Sequence, residues 1–96
     1  MDDRQAAEVA KALSHPLRIA ILREIRDRRK LSPSEYAKDT GEPLGNVSYH
    51  LVALREAGII KVTDTAKRRG ALEHYYALSG PRAGIALGVM DLLGTA

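Results

Sequence analysis

The sequence has no cysteine, no tryptophan and no phenylalanine, and these absences exclude several kinds of protein. Without cysteine the chain forms no disulfide, and it offers no thiolate to a metal ion or to catalysis. Its apolar core must therefore consist mainly of leucine, isoleucine, valine and alanine. A chain that is also rich in arginine and glutamate favours helices.

Long apolar runs and targeting signals are missing as well. No apolar run approaches the roughly 20 residues that a membrane span requires. The sequence starts with MDDRQAAEVAKAL, which is charged and amphipathic and therefore unlike a signal peptide. We expect a cytoplasmic protein without membrane contacts, and the length of 96 residues fits a single domain spanning 1–96.

Capping signals and apolar periodicity predict four helices before residue 58. Ser32 and Glu35 form the S-x-x-E pattern of a capping box around Pro33, and Gly41 is a natural left-handed stop. Gly58 ends the last of the four. The predicted helices are Asp3–Leu13, Pro16–Arg28, Pro33–Thr40 and Leu44–Ala57.

The first two predicted helices carry apolar stripes at helical spacing. In the first helix the stripe comprises Ala6, Val9, Ala10 and Leu13. In the second helix Arg18 is expected to point away from the apolar face, as are most of the other arginines there.

The period of the apolar residues changes from helical to strand-like after Gly58. Ile59–Thr63 and Leu72–Leu78 are rich in β-branched residues and tyrosine, and a polar loop, Asp64–Ala71, separates them. The tail, Pro81–Leu93, is apolar and is expected to form a last helix. The predicted fold class is mainly α with a small β-hairpin, a winged helix-turn-helix of about five helices and a two-stranded wing.

The third and fourth predicted helices have the spacing of a helix-turn-helix unit. Ala37 is small where the two helices must approach closely, and Gly41 lets the backbone turn. Val47 is a compact apolar residue that plugs the interface from the fourth helix. With the capping box before it and the hairpin after it, this pattern predicts a DNA-binding unit.

The fourth helix has one apolar face and one face of small and hydrogen-bonding residues. Val47, Leu51 and Leu54 share the core side, and no acid occurs in the helix before Glu56. Base edges in a major groove are read by side chains of this neutral, hydrogen-bonding kind. The predicted DNA contacts of this helix are Gly45, Asn46, Ser48, Tyr49, His50 and Val52.

Each of these assignments has a structural alternative. The residues can form an ordinary polar helix surface, and the hydroxyl of Ser48 can bond back to its own helix. Tyr49 can pack on the hairpin. For His50, a half-buried histidine with satisfied hydrogen bonds and a phosphate contact are equally good interpretations.

Three adjacent cations, Lys67, Arg68 and Arg69, lie in the predicted hairpin loop. Alone, such a run is usually a solvated loop. Beside a helix-turn-helix unit it favours contact with phosphates or a narrow minor groove. Ser32 and Ser34, at the start of the third helix, complete the predicted set of DNA contacts.

Three stretches, ALSHPLRIAILREI, EPLGNVSYHLVALREAGII and RRGALEHYYAL, resemble the ArsR-like winged-helix regulators, in particular a cysteine-free subgroup. The resemblance implies a homodimer with the fourth helix in the major groove and the wing tips near the flanking backbone. Family members often carry a basic residue at the position of Val52. Its apolar identity implies one phosphate contact fewer, or contact with a thymine methyl group instead.

The family's metal sensors use cysteines, or histidine and acidic pairs on the last helix, and neither set is present. The histidines are His15, His50 and His74, and the tail offers only Asp91. We therefore expect no metal and no cofactor, and no residues form a recognisable catalytic motif, so the chain is not expected to be an enzyme.

The tail carries glycines at small-xxx-small spacing, Gly84 and Gly88, followed by exposed apolar residues. A dimer seam formed with the first helix explains both features, so residues 82–96 are predicted to form a dimerisation helix. The alternative is a tail that folds back on its own core.

The sequence therefore predicts a homodimeric regulator of transcription that binds double-stranded DNA sequence-specifically, in this family most often as a repressor. A winged helix that binds protein and a non-specific architectural DNA binder are the alternatives.

Overall fold

A computed structural model of the chain describes residues 2–94, apart from the side chain of Arg68. Five helices and one antiparallel hairpin occur in this part of the chain, so the predicted fold class is confirmed. Each helix begins and ends within one residue of its predicted bounds. The elements are α1 (Asp3–Ala12), α2 (Pro16–Arg28), α3 (Pro33–Thr40), α4 (Leu44–Glu56), β1 (Ile60–Arg68), β2 (Ala71–Leu78) and α5 (Gly80–Leu92).

The core lies where α1, α2, α4 and α5 meet beneath the hairpin. Leucine, isoleucine and valine dominate it, as the lack of larger apolar residues requires. Its largest fully buried apolar side chains are Val9, Ile21, Leu22, Ile25, Val47, Leu51, Leu54, Ile59 and Met90.

On the first helix, one position differs from its expected place. On α1, Val9 and Leu13 are buried as predicted, but Ala10 is exposed and Ala12 takes its place in the core. The prediction for Ala10 was wrong because the helix turns Val9, Ala12 and Leu13 toward the core, at spacings of three and four residues.

The hairpin is longer and its turn tighter than the sequence predicted. β1 continues to Arg68, which pairs with Ala71, so the expected loop Asp64–Ala71 is wrong. Only Arg69 and Gly70 connect the strands, with φ angles of 52° and 81°. A two-residue turn with positive φ at both positions matches the natural twist of a hairpin and lets the strands pair up to it.

The base of the hairpin is attached to the link between α2 and α3. Leu31 and Tyr76 exchange backbone hydrogen bonds of 2.9 and 2.8 Å, which form an isolated antiparallel bridge at the free edge of β2. Beside them, the ammonium of Lys30 lies 3.1 Å from the Asp64 carboxylate and 4.6 Å from the centre of the Tyr75 ring. These contacts connect the base of the wing to the helices.

The last helix, α5, packs against α1 and is part of the domain core. Ala83, Ala86 and Met90 form its buried face. The guanidinium of Arg82 donates to the backbone oxygen of Ala57 at 3.1 Å and forms an ion pair with Glu8 on α1. One face of the tail therefore folds back on its own core, and the opposite face stays exposed.

Candidate nucleic-acid interface

The helix-turn-helix unit is built from α3, a tight turn and α4. The Ser32 hydroxyl caps α3 by accepting from the Glu35 amide, and Gly41 ends the helix with φ of 80°. The Gly41 amide donates to the Ala37 oxygen at 2.9 Å. Val47 is fully buried in the interface of the two helices, as its spacing predicted. The turn thereby orients α4 across α3, and the face of α4 opposite Val47 is exposed to solvent.

The exposed face of α4 carries most of the residues predicted to read DNA. Gly45 and Asn46 are exposed, and Tyr49 is the most open of the set, with 66% of its surface accessible. Val52 lies at the margin of this face, and Ser48 is half-buried. The first turn of the helix contains no acid. The surface is therefore neutral and rich in hydrogen-bonding groups.

The surroundings of Tyr49 and Ser48 bear on two structural alternatives raised by the sequence. Tyr49 is largely exposed, and its ring stands edge-on to the imidazole of His50, with centroids 5.2 Å apart. Among residues 2–94, no hydrogen bond joins the Ser48 hydroxyl to its own helix. Both side chains keep their polar groups available to a ligand.

His50 is half-buried on α4, and its hydrogen bond comes from an unexpected residue. Arg18 donates from Nε to the His50 Nδ1 at 2.9 Å, and from Nη1 to the Ala12 oxygen at 3.4 Å. Arg18 has only 8% of its surface exposed, so the expectation that it points away from the core was wrong. Arg18 is buried against His50, which lies 32 residues away in the chain. The helical periodicity of α2 alone does not predict such a distant contact.

The surroundings of His50 keep its imidazole neutral. Its pKa lies below the ordinary value of 6.5, first because burial disfavours the charged ring. The charges of Arg18 and His15 act in the same direction, whereas Glu42 opposes them. The ring of His15 lies 5.5 Å from that of His50.

The basic residues of the wing lie at its tip. Lys67 is exposed near the end of β1, and Arg69 is exposed in the turn itself. The backbone of Arg68 belongs to β1, and its side chain lies outside the described part of the structure. A two-stranded ribbon with a two-residue turn, rather than a long loop, therefore carries the predicted cations.

The two serines predicted to contact DNA differ in their surroundings. Ser32 has 1% of its surface exposed, and its hydroxyl donates to the carboxylate of Glu73 on β2. Ser34 is exposed and donates to the same carboxylate. The structure thus gives Ser32 an internal role, and only Ser34 remains at the surface.

Comparison with known proteins agrees with this geometry. Residues 13–63, more than half of the chain, match a family model described as a helix-turn-helix domain. The chain belongs to this helix-turn-helix family. The predicted resemblance to the ArsR-like winged-helix regulators holds for the fold, which the chain shares with crystal structures of ArsR-family regulators.

Several relatives of this helix-turn-helix protein cover most of its length. A regulator of helix-turn-helix type from Methanocaldococcus jannaschii is 31% identical over 72 residues, which are 75% of this chain and 76% of the relative. The crystal structure of the transcriptional repressor PagR of Bacillus anthracis is 26% identical, with a TM-score of 0.69, and the match covers 94% and 93% of the two chains.

A further structure supports the fold alone. An ArsR-like regulator from Rhodococcus is 24% identical, with a TM-score of 0.63 over 96% of this chain and 81% of the other. It shares the winged-helix architecture with this helix-turn-helix protein.

Sequence reasoning missed three exposed residues at the edges of this surface. Leu44 begins α4, and Leu72 and His74 lie on β2; together with Ser34 and Ser48 they line a shallow cleft between the helix-turn-helix unit and the wing. Side chains alternate between the two faces of a strand, so the sequence of β2 predicts that Leu72 and His74 share one face. Leu44 was indistinguishable from a core leucine because it lies at a helix end.

The described residues bring together no set of three or more potential metal ligands of the histidine, cysteine, aspartate or glutamate kind. Among residues 2–94, none of the helices of this helix-turn-helix protein has the length and apolar character needed to cross a membrane.

Proposed function

We propose that this protein is a sequence-specific DNA-binding regulator of transcription that acts as a homodimeric repressor. One observation carries the proposal: a neutral, hydrogen-bonding face of α4 lies beside a two-stranded wing whose tip is basic. The two surfaces suit the two parts of a DNA site, base edges and phosphates.

In this proposal α4 enters the major groove, whose width admits a helix. Asn46 and Tyr49 supply hydrogen bonds to base edges, and an asparagine pairs well with adenine in this groove. Gly45, without a side chain, lets the helix start approach the DNA closely. Val52 supplies an apolar contact suited to a thymine methyl group.

The wing supplies affinity that does not depend on base sequence. Lys67, Arg68 and Arg69 are proposed to contact phosphates or a minor groove flanking the site of α4. Each phosphate that a cation neutralises releases counterions, so this contribution weakens as the salt concentration rises. Ser34, exposed at the start of α3, is proposed to contact the DNA backbone next to α3, where its hydroxyl exchanges the Glu73 carboxylate for a phosphate oxygen.

Dimerisation is proposed through the exposed faces of α1 and α5. On α5, Gly84, Gly88 and Leu92 are exposed, and Leu92 has 89% of its surface accessible. Ala7 and Ala10 are exposed on α1, so small residues occur on both helices. Two copies then read half-sites about one helical turn of DNA, roughly 34 Å, apart. The relative PagR is a transcriptional repressor, which supports repression as the outcome.

The proposal is tested by titrating the protein with a selected duplex and a scrambled duplex at several salt concentrations. Asn46→Ala and Tyr49→Phe remove groups proposed to read bases. Each is expected to weaken selected binding by about 1–3 kcal/mol and to change scrambled binding little. Tyr49→Phe removes a single hydroxyl from an exposed side chain, so it leaves the fold intact.

The wing variants should behave differently. Arg69→Asn removes a charge but suits the positive φ of the turn, because asparagine followed by glycine is favoured there. This variant is expected to weaken binding to both duplexes alike. It should also lower the slope of log affinity against log salt concentration by about 0.9. Lys67→Ala should act in the same way, with Lys61→Ala at the base of the hairpin as its control. If Asn46→Ala lost affinity equally for the selected and the scrambled duplex, the protein would be an architectural DNA binder. If the wild type bound neither duplex, a protein partner would be favoured.

A further inference from the structure

We infer that Arg18 is a positioning residue for DNA binding, which holds the imidazole of His50 so that its Nε2–H points outward as a donor to a DNA phosphate. The inference deepens the proposed function and rests on it. It assigns a role in recognition to a buried arginine that lies outside the helix-turn-helix unit.

The geometry around Arg18 makes its guanidinium a fixed donor. The side chain starts on α2, is almost fully buried, and reaches both the end of α1 and the middle of α4. It bonds the Ala12 oxygen on one side and the His50 Nδ1 on the other. Because two helices hold the planar group at separate nitrogens, it cannot rotate without losing a hydrogen bond.

The contact determines which nitrogen of His50 carries the proton. A guanidinium only donates hydrogen bonds, so the Nδ1 that receives one must be unprotonated. A neutral imidazole then carries its proton on Nε2. The lowered pKa of His50, due first to burial and then to the charges of Arg18 and His15, keeps the ring neutral although Glu42 opposes it.

The Nε2–H is a donor whose partner is not in the described chain. Among residues 2–94 no buried side-chain nitrogen or oxygen lacks a hydrogen-bond partner, and no described residue accepts from this nitrogen. The Nε2–H is therefore open to solvent. It lies on α4 directly after Tyr49, at the flank of the face proposed to read bases, where DNA-binding helices meet phosphate oxygens.

Two isosteric variants separate the two nitrogens of the ring. In His50→Asn, the side-chain oxygen takes the place of Nδ1, so the Arg18 contact is kept and the outward donor is lost. In His50→Gln, the amide nitrogen reaches the place of Nε2, so the donor is kept and the Arg18 contact is lost. A purely structural role of the Arg18 contact predicts that His50→Gln is the more damaging variant.

The inference predicts the opposite order in DNA binding. His50→Asn is expected to weaken binding to the selected duplex and to the scrambled duplex alike by about 10- to 100-fold, the effect of one hydrogen bond to a charged acceptor. His50→Gln should retain more affinity than His50→Asn. The salt slope should stay unchanged in both, because a neutral donor releases no counterion. Arg18→Met should weaken binding, and adding His50→Asn to it should cost little more.

A second measurement needs no DNA. Nitrogen-15 NMR of the free protein should show His50 protonated at Nε2, with a mixture of the two forms in Arg18→Met. If Arg18→Met does not fold, the two His50 variants and the wild-type spectrum decide the question. The inference would be overturned, and the proposed function would stand, if His50 of the wild type were protonated at Nδ1 or if His50→Asn bound DNA as tightly as the wild type. A wild-type protein that binds no duplex would overturn the proposed function, and this inference with it.

Discussion

The hydroxyl of Ser32, at the cap of α3, donates a hydrogen bond to the carboxylate of Glu73 on β2. This contact joins the helix-turn-helix unit to the wing across 41 positions of the chain. It also places a negative charge at the positive end of the α3 dipole, where such a charge is stabilising. The angle between the two proposed DNA-binding surfaces depends in part on this pair.

Ser32→Ala is therefore expected to lower the free energy of unfolding by about 1–2 kcal/mol, since it removes a helix cap and a buried hydrogen bond together. Urea unfolding measures the loss. Ser34→Ala, at an exposed position beside the same carboxylate, is the control and should cost less. A double-mutant cycle with Glu73→Gln should be non-additive for Ser32. Additive losses would show that the two side chains do not interact.

Replacing two glycines by alanine is expected to change the stability of the fold in opposite directions. Gly41 has φ of 80° at the end of α3, whereas Gly45 lies within α4, and a Cβ at either position meets no atom within 4 Å. Gly41→Ala should destabilise the fold by about 1–2 kcal/mol through backbone strain alone. Gly45→Ala should stabilise it by up to about 1 kcal/mol. Thermal unfolding distinguishes them, and shifts of the same sign would contradict the assignment of the turn.

Local signals in the sequence predicted the helices well, and non-local contacts account for the errors. The cap at Ser32 and the stop at Gly41 act within one helical turn, so their residues alone reveal them. The strand extension to Arg68 depends on pairing across the hairpin. The burial of Arg18 and of Ser32 depends on partners in distant elements, His50 and Glu73, which no local pattern specifies.

The pH dependence of stability follows from His50. Its pKa is lowered in the folded protein, mainly by burial, so the unfolded chain takes up the proton at a higher pH than the folded chain. The stability associated with the neutral ring is fully present above the ordinary pKa of 6.5 and is lost as the pH falls through the folded pKa.

We therefore expect the free energy of unfolding to decrease between about pH 7 and pH 5, with a smaller decrease in His50→Asn. Urea titrations at closely spaced pH values measure the two slopes. His50→Gln has no titrating group at this position either and should match the slope of His50→Asn. A wild-type slope equal to that of both variants would contradict the lowered pKa.

The proposed dimer surface is best tested by a substitution that the monomer tolerates. Deleting residues 82–96 would also remove Ala86 and Met90 from the core, so the loss of a dimer would then be indistinguishable from unfolding. Gly88 is exposed on the opposite face of α5, and a side chain there meets no atom of its own chain within 4 Å. Arginine is a good helix former, so Gly88→Arg should favour the isolated helix by up to about 1 kcal/mol.

In a dimer whose two copies approach at these glycines, the same arginine would place bulk and charge in an apolar seam. Gly88→Arg is thus expected to raise the stability of the monomer while weakening its self-association. Sedimentation equilibrium should give twice the 10.5 kDa chain mass for the wild type and a mass nearer to one chain for the variant. Asp39→Arg, at an exposed position on α3, should sediment as the wild type does. An undiminished dimer in Gly88→Arg would place the seam elsewhere, because the buried face of α5 is already occupied by the core of its own chain.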